Sequence, residues 1–145
     1  MSHPEIDAVR ERYERRKFTI EKDRYNPLRA SVWQSVHERQ RVMLLLFAKL
    51  GFKSFHNTKL IEVGCGAGGN LLEFLRFGYQ PDNLLGIELL EDSVSKANKV
   101  LPSGLVQLGD ALSVNIPCTS YDIVYQSVVF SSLLDDAFQQ ALANK

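Results

Sequence analysis

Along the first third of the chain, apolar residues recur at roughly helical spacing across 28–50. This run follows an Asn26-Pro27 break and precedes Gly51, a residue type that commonly ends helices. The pattern predicts one or two helices there. The preceding stretch, 5–24, is rich in charge and poor in apolar positions, which is typical of the solvated face of a surface helix.

From Lys59 onwards, short apolar runs alternate with amphipathic stretches. The predicted strands are 60–63, 84–88, 105–108 and 121–125, and the predicted helices between and after them are 70–77, 91–100 and 133–143. This alternation predicts an α/β domain with a mostly parallel sheet flanked by helices. We therefore expect residues 1–57 to form an N-terminal helical extension, or lid, and residues 58–145 to form the core.

The first predicted strand runs into a glycine-rich turn, Gly64-Cys65-Gly66-Ala67-Gly68-Gly69. Glycines permit a sharp turn and let the backbone approach a ligand that lies over the next helix N-terminus. The turn fits the pattern G-x-G-x-x-G, and Glu88 follows at the end of the next strand, where a carboxylate can accept two ribose hydroxyls. These features predict a nucleoside cofactor, and taken alone they would suggest NAD.

Two further carboxylates favour a different cofactor. Glu62 lies two residues before Gly64, where it would repel a pyrophosphate but suit a cationic group. Asp110 follows the third strand, where a carboxylate can accept a hydrogen bond from an exocyclic amine such as that of adenine. Each of these acidic residues alone is equally consistent with an ordinary strand-end residue or a helix N-cap. Their joint order favours a ligand site at the carboxyl edge of the sheet.

The segment Glu62-Val63-Gly64-Cys65-Gly66-Ala67-Gly68 resembles the E-x-G-x-G-x-G signature of class I S-adenosylmethionine-dependent methyltransferases, and Glu88, Asp110 and Asp122 follow in the order of that family. The resemblance covers 59–130. It implies a Rossmann-like fold with strand order 3-2-1-4, S-adenosylmethionine as cofactor, and methyl transfer to a small-molecule acceptor such as a sugar or another metabolite. It also implies that the C-terminal strands of the fold are missing, as in a fragment, a truncated product or an early-terminated gene.

The resemblance also implies roles for individual residues. Glu62 and the turn would hold the methionine moiety, and Glu88 would hold the ribose. The residues implied in cofactor binding are Glu62, Gly64, Cys65, Gly66, Ala67, Gly68, Asn70, Glu88, Leu89, Asp110, Ala111, Gln126 and Ser127. Candidate acceptor-side residues are Tyr25, Arg29, Trp33 and Phe130, although core packing of an amphipathic helix is the favoured interpretation of Tyr25 and Trp33. No catalytic base and no metal ligand set is evident.

The composition argues against nucleic-acid binding, membrane insertion and a cysteine metal site. The formal net charge is zero, which gives no global attraction to nucleic acid or anionic membrane. The longest apolar run, 42–48, is too short to cross a bilayer. Two cysteines without metal-ligand spacing, Cys65 and Cys118, predict free thiols and a cytoplasmic location.

Two alternatives and one association follow from the same patterns. A non-catalytic S-adenosylmethionine-binding fragment, or pseudoenzyme, would keep the nucleoside site without turnover. A nicotinamide-binding domain is disfavoured by Glu62 and Asp110. The fourth strand is expected to be an exposed apolar edge, which predicts self-association with a second copy.

Overall fold

A computed structural model describes residues 3–21 and 23–145. These residues form two compact units. One unit takes the chain up to Glu11 together with 54–145, and the other takes 12–53. The sheet and the glycine turn both belong to the first unit.

The first unit is built on a four-stranded parallel sheet. Its strands are β1 (Leu60–Val63), β2 (Leu84–Glu88), β3 (Val106–Leu108) and β4 (Ile123–Gln126), in the order β3-β2-β1-β4. Leu60 pairs with Leu84 on one side and with Ile123 on the other, so β1 is central and β4 is an edge strand. The predicted fold class and strand order are confirmed.

Five α-helices accompany the sheet in the described part of the chain. They are α1 (Pro4–Thr19), α2 (Ala30–Lys49), α3 (Gly69–Arg76), α4 (Glu91–Val100) and α5 (Asp136–Ala143), with short 3-10 turns at Pro81–Asn83 and Phe130–Ser132. None of the helices that the structure describes is long and apolar enough to cross a membrane.

Several element boundaries differ from the prediction for local reasons. Helix α1 ends at Thr19, before 24, and the chain turns at 23–26, where the Asn26 N–H donates to the Asp23 carbonyl. Lys22, inside that prediction, lies outside the described residues. Helix α5 begins at Asp136, after 133, because the Asp135 side chain accepts the Phe138 N–H and caps it.

Opposite faces of the sheet carry different cores. On one face, Leu71 and Phe74 of α3 are fully buried, and the Phe74 ring packs edge-on against Tyr125 of β4 at 5.1 Å. On the other face, Ile61 and Ile87 pack with Val114. Because side chains alternate along a strand, Glu62 shares the α3 face with Gly86 and Tyr125, its partners in register.

Close packing at Gly86 makes the first testable prediction. A Cβ at this position would lie 2.6 Å from Cys65 Sγ and 2.7 Å from Leu71 Cδ1, although the backbone conformation suits any residue. Gly86→Ala is therefore expected to destabilise the fold by about 2 kcal/mol through overpacking, measured by urea unfolding.

The matched control is Gly69→Ala at the start of α3, where no described heavy atom lies within 4 Å of the added Cβ. This change is expected to leave the free energy of unfolding the same or to raise it by about 0.5 kcal/mol, because alanine favours helices. Equal effects at the two glycines would contradict the packing argument.

Candidate functional site at the glycine turn

The glycine turn follows β1 and is tied to the end of β2. The Gly64 and Cys65 N–H groups both donate to the Ile87 carbonyl, at 2.8 and 3.2 Å. The turn ends at Gly68, the N-cap of α3, where none of the described side chains caps the helix. The turn therefore lies at the carboxyl edge of the sheet, with a helix N-terminus directly after it.

Glu62 is the most deeply buried charged residue of the described chain, with 0% of its surface exposed. Its Oε1 accepts a hydrogen bond of 2.6 Å from Asn70 Nδ2, at the start of α3. An amide donor orients the carboxylate without neutralising its charge. A cationic ligand group beside this buried carboxylate would form a charge-assisted hydrogen bond, which is strong away from water.

Glu88 ends β2 and organises the turn. Its Oε2 accepts the Gly66 N–H at 2.7 Å, and its Oε1 accepts the Leu90 N–H at 2.8 Å. Only 6% of the residue is exposed. Because each carboxylate oxygen has two lone pairs, both oxygens can still accept a ribose hydroxyl while they hold the backbone.

The turn glycines differ in the space that surrounds them. Gly64, Gly66 and Gly68 all have positive φ angles, of 69°, 55° and 82°. A Cβ at Gly68 would collide with Leu101, whereas no described heavy atom lies within 4 Å of a Cβ placed on Gly66. The backbone is therefore open to a ligand at Gly66, with the two buried carboxylates flanking it in sequence. This arrangement fits a nucleoside cofactor with a cationic end.

Cys65, inside the turn, is a buried structural thiol. Burial raises the pKa of this thiol to about 12, with a smaller contribution from the negative charges of Glu62 and Glu88. The two carboxylates thus act on one side chain, in agreement with their convergence at the turn. The thiol fills space against Gly86 and stays protonated at neutral pH.

The two cysteines are expected to differ sharply in reactivity. At pH 8, about one Cys65 in ten thousand would be a thiolate in the folded protein, whereas Cys118 is exposed. A thiol reagent should therefore add one label per native chain, on Cys118, as read by mass spectrometry. Unfolding in urea should expose Cys65 and give two labels. Rapid labelling of Cys65 in the native protein would contradict its assigned burial.

The acidic residues of the later strands have local structural partners. Asp110 accepts the Leu112 N–H through Oδ1 and the Ser113 hydroxyl through Oδ2, so it caps the turn after β3. Asp122 accepts the Lys59 N–H at 2.8 Å and joins the starts of β1 and β4. Asp110 retains further lone pairs for a ligand, whereas Asp122 lies at the opposite end of its strand from the glycine turn.

The remaining predicted contacts lie around the same edge. Leu89 and Ala111 are half-buried, and Ala111 packs against the Ile61–Ile87–Val114 cluster. Gln126 ends β4 and is exposed, and Ser127 and Phe130 follow it, half-buried.

Sequence reasoning missed two valines after β4. Val128 has a φ of 58°, which is rare for a β-branched residue, and Val129 places its Cγ2 2.6 Å from the position of a Cβ on Gly64. Val129 therefore packs against the first glycine of the turn, which itself stays exposed. No sequence signal predicts this contact, because a positive φ is ordinarily expected at glycine or asparagine.

Three acceptor-side candidates belong to the second unit. Tyr25 is 70% exposed and Trp33 is 47% exposed, and Trp33 packs edge-on against His37. Arg29 Nη1 lies 4.0 Å from Asp23 Oδ2. The roles of these residues toward an acceptor stay predictions.

Comparison with known families agrees with this geometry. The sequence profile of a family described as "Methyltransferase domain" matches residues 61–144, more than half of the chain. The chain belongs to the class I S-adenosylmethionine-dependent methyltransferase family. S-adenosylmethionine is the cofactor of this family, and the predicted resemblance is confirmed.

Solved methyltransferase structures share the fold. The plantazolicin methyltransferase BpumL is 15% identical, with a TM-score of 0.63, covering 96% of this chain and 51% of its own. Phosphoethanolamine N-methyltransferase 1 of Haemonchus contortus is 16% identical, with a TM-score of 0.62, and the match covers 97% of this chain and 29% of that enzyme. An amino pentose methyltransferase of Micromonospora echinaspora is 21% identical, with a TM-score of 0.52, and the match covers 92% of this chain and 48% of that enzyme.

The chain spans about half, or less, of the length of these methyltransferase structures. None of the curated proteins matches the sequence. Among residues 3–21 and 23–145, no group of three or more His, Cys, Asp or Glu side chains is arranged to hold a metal ion.

Proposed function

We propose that this chain binds S-adenosylmethionine at the glycine turn and serves methyl transfer to a small-molecule acceptor. The observation that carries the proposal is the fully buried Glu62 carboxylate, which immediately precedes a glycine turn whose backbone is open at Gly66. A cationic amino-acid end suits this carboxylate, whereas the pyrophosphate of NAD would be repelled by it.

Each part of the cofactor has a proposed partner. Glu62, oriented by Asn70, holds the ammonium of the methionine moiety, together with the backbone from Gly64 to Gly68. Glu88 accepts the ribose hydroxyls with the lone pairs that its backbone bonds leave. Further contacts with adenine and the sulfonium side are proposed for Leu89, Asp110, Ala111, Gln126 and Ser127.

The reaction asks mainly for orientation and exclusion of water. When bound, the cofactor supplies a methyl group on a sulfonium, already activated toward in-line displacement. The residues of this chain hold the two reactants in line and keep the turn dry. Phe130, after β4, is a candidate for the acceptor side, as are Tyr25, Arg29 and Trp33. A general base is required only if the acceptor is a hydroxyl.

A small-molecule acceptor, such as a sugar or another metabolite, is part of the proposal. It is supported by two structural neighbours: one is named for an amino pentose and another was solved with phosphoethanolamine.

The zero net charge supports the absence of a nucleic-acid partner. The two free cysteines support a reducing, cytoplasmic location. Residues 58–145 are proposed as the cofactor-binding core and 1–57 as a helical extension.

Calorimetric titration with S-adenosylhomocysteine, with NAD as the control, tests the proposal. Binding of S-adenosylhomocysteine alone is expected. Failure to bind it would refute the proposed site, and binding of NAD instead would favour a nicotinamide domain. Binding of the cofactor without turnover on a panel of sugar and amine acceptors would favour the non-catalytic alternative.

We also propose that β4 pairs with a second copy of the chain. This strand is the edge of the described sheet, and Val124 on it is 72% exposed. Sedimentation should show a dimer that Val124→Lys converts to a monomer. The matched control, Val100→Lys on α4, where Val100 is 59% exposed, should leave the dimer intact. A monomeric wild-type chain would refute this association.

A further inference from the structure

The segment after β4, residues 127–135, lies against the first glycine of the turn. Val129 lies against Gly64, with Cγ2 2.6 Å from the position that a Cβ on that glycine would take. The backbone proposed to hold the methionine moiety, Gly64 to Gly68, is therefore contacted at its first glycine by a side chain from this segment. Movement of the segment would change the shape of the proposed cofactor site.

The start of the segment is held by its own hydrogen bonds. Gln126 Oε1 accepts the Val129 N–H at 3.1 Å. The Ser131 and Ser132 hydroxyls both donate to the Val128 carbonyl, at 2.8 and 3.1 Å. Val128 holds a backbone conformation that β-branched residues rarely adopt, so this geometry depends on the contacts around it.

The end of the segment is held by the N-terminal helix. Glu5 Oε1 accepts the Leu134 N–H at 2.8 Å, across 129 residues of sequence. Glu5 is only 8% exposed, an unusual degree of burial for a glutamate, and Ile6 and Val9 of the same helix are buried with it. Around the bond, Leu133 is buried, and the His3 ring contacts that of Phe138 at 5.0 Å.

We infer that Glu5 is a positioning residue: through Leu134 it holds the segment 127–135 against the glycine turn, so that α1 controls how firmly the proposed site retains its cofactor. The inference rests on the proposed binding of S-adenosylmethionine. Glu5 acts through the backbone of the segment, since its oxygen is engaged by Leu134. A hydrogen bond to a charged acceptor is strong enough to matter for the position of a short segment.

The bond can be removed from either end. Glu5→Ala removes the acceptor. Leu134→Pro removes the donor at an exposed position, and the preceding residue, Leu133, already has the extended conformation that proline requires of its neighbour (φ −97°, ψ 131°). Glu5→Gln keeps an acceptor oxygen, and Leu134→Ala keeps the N–H. Glu11→Ala is a control at an exposed glutamate of the same helix.

Stopped-flow dissociation of S-adenosylhomocysteine is the decisive measurement. Glu5→Ala and Leu134→Pro should each raise the dissociation rate about tenfold, the effect expected for one hydrogen bond to a charged group. The double variant should match Glu5→Ala, because the bond that Leu134→Pro removes is already absent there. Glu5→Gln should restore most of the wild-type rate, and the Leu134→Ala and Glu11→Ala controls should keep it.

Hydrogen exchange of the ligand-free variants separates this inference from the proposed function. Both disruptive variants should exchange the amides of 128–133 faster than wild type. Unchanged exchange in Leu134→Pro would overturn the inference, even if the wild-type chain bound no S-adenosylhomocysteine and the proposed function failed. Faster exchange with an unchanged dissociation rate, or additive effects in the double variant, would equally overturn it.

Discussion

Glu62→Gln is expected to weaken S-adenosylhomocysteine binding about 100-fold, the loss that corresponds to a buried, charge-assisted hydrogen bond. Glutamine has the shape of glutamate, and its carbonyl oxygen can still accept from Asn70. It lacks the negative charge that a ligand ammonium needs in this fully buried position. The free energy of unfolding should change little, because glutamine keeps both the volume of the side chain and the bond to Asn70.

Calorimetry and urea unfolding of the same preparation check both halves of this result. Glu91→Gln, at the exposed start of α4, is the matched control and should leave both quantities unchanged. Wild-type affinity in Glu62→Gln would mean that the carboxylate is structural and does not touch the cofactor. A large loss of stability would mean that its charge is balanced within the fold.

Glu88→Ala is expected to impair both stability and binding. Its two oxygens hold the Gly66 and Leu90 N–H groups, so alanine would leave one donor in the turn and one before α4 without this acceptor. The expected loss of unfolding free energy is about 3 kcal/mol, from two backbone donors that lose a charged partner. Cofactor binding should fall in parallel, because the turn loses its geometry as well as the proposed ribose partner.

Denaturant unfolding and calorimetry again give the two readouts. Glu91→Ala should change the free energy of unfolding by no more than about 0.5 kcal/mol, as is usual for an exposed position. If Glu88→Ala lost binding yet kept full stability, the backbone bonds would be contributing little and the ribose contact would carry the effect. The contrast with Glu62→Gln, which should separate binding from stability, distinguishes a ligand contact from a residue that also supports the fold.

The alternating pattern predicted the fold because each element is locally encoded. Strands such as β1 are short, mainly apolar runs bounded by turn residues, and helices such as α3 and α4 are amphipathic. The spacing of the apolar residues and the turn-forming residues between the runs therefore place each element within a few residues. The start of α5 shifted because of one local side-chain bond. Asp135 caps α5, and its carboxylate, rather than the apolar run at 133, decides where that helix begins.

The positions of the site carboxylates were predictable because they lie at or near the ends of strands. Glu62 and Glu88 come directly from β1 and β2, and parallel strands bring their carboxyl ends to one edge. Their separate tasks were not predictable. Only the structure assigns the Glu88 oxygens to two backbone donors, and only the structure pairs Glu5 with Leu134, because a contact between residues so far apart in sequence leaves no periodic signal.

The central strand of the sheet acquires its second neighbour late in the chain. Strand β1 pairs with β2 through the α3 crossover, and its other edge is closed by β4. The Lys59–Asp122 bond that joins the starts of β1 and β4 spans 63 residues. During synthesis from the N-terminus, β1, β2 and β3 emerge while that edge of β1 is still open. We expect the nascent chain to be most vulnerable to aggregation in this interval, and β4 to pair with β1 slowly, since the pairing closes a long loop.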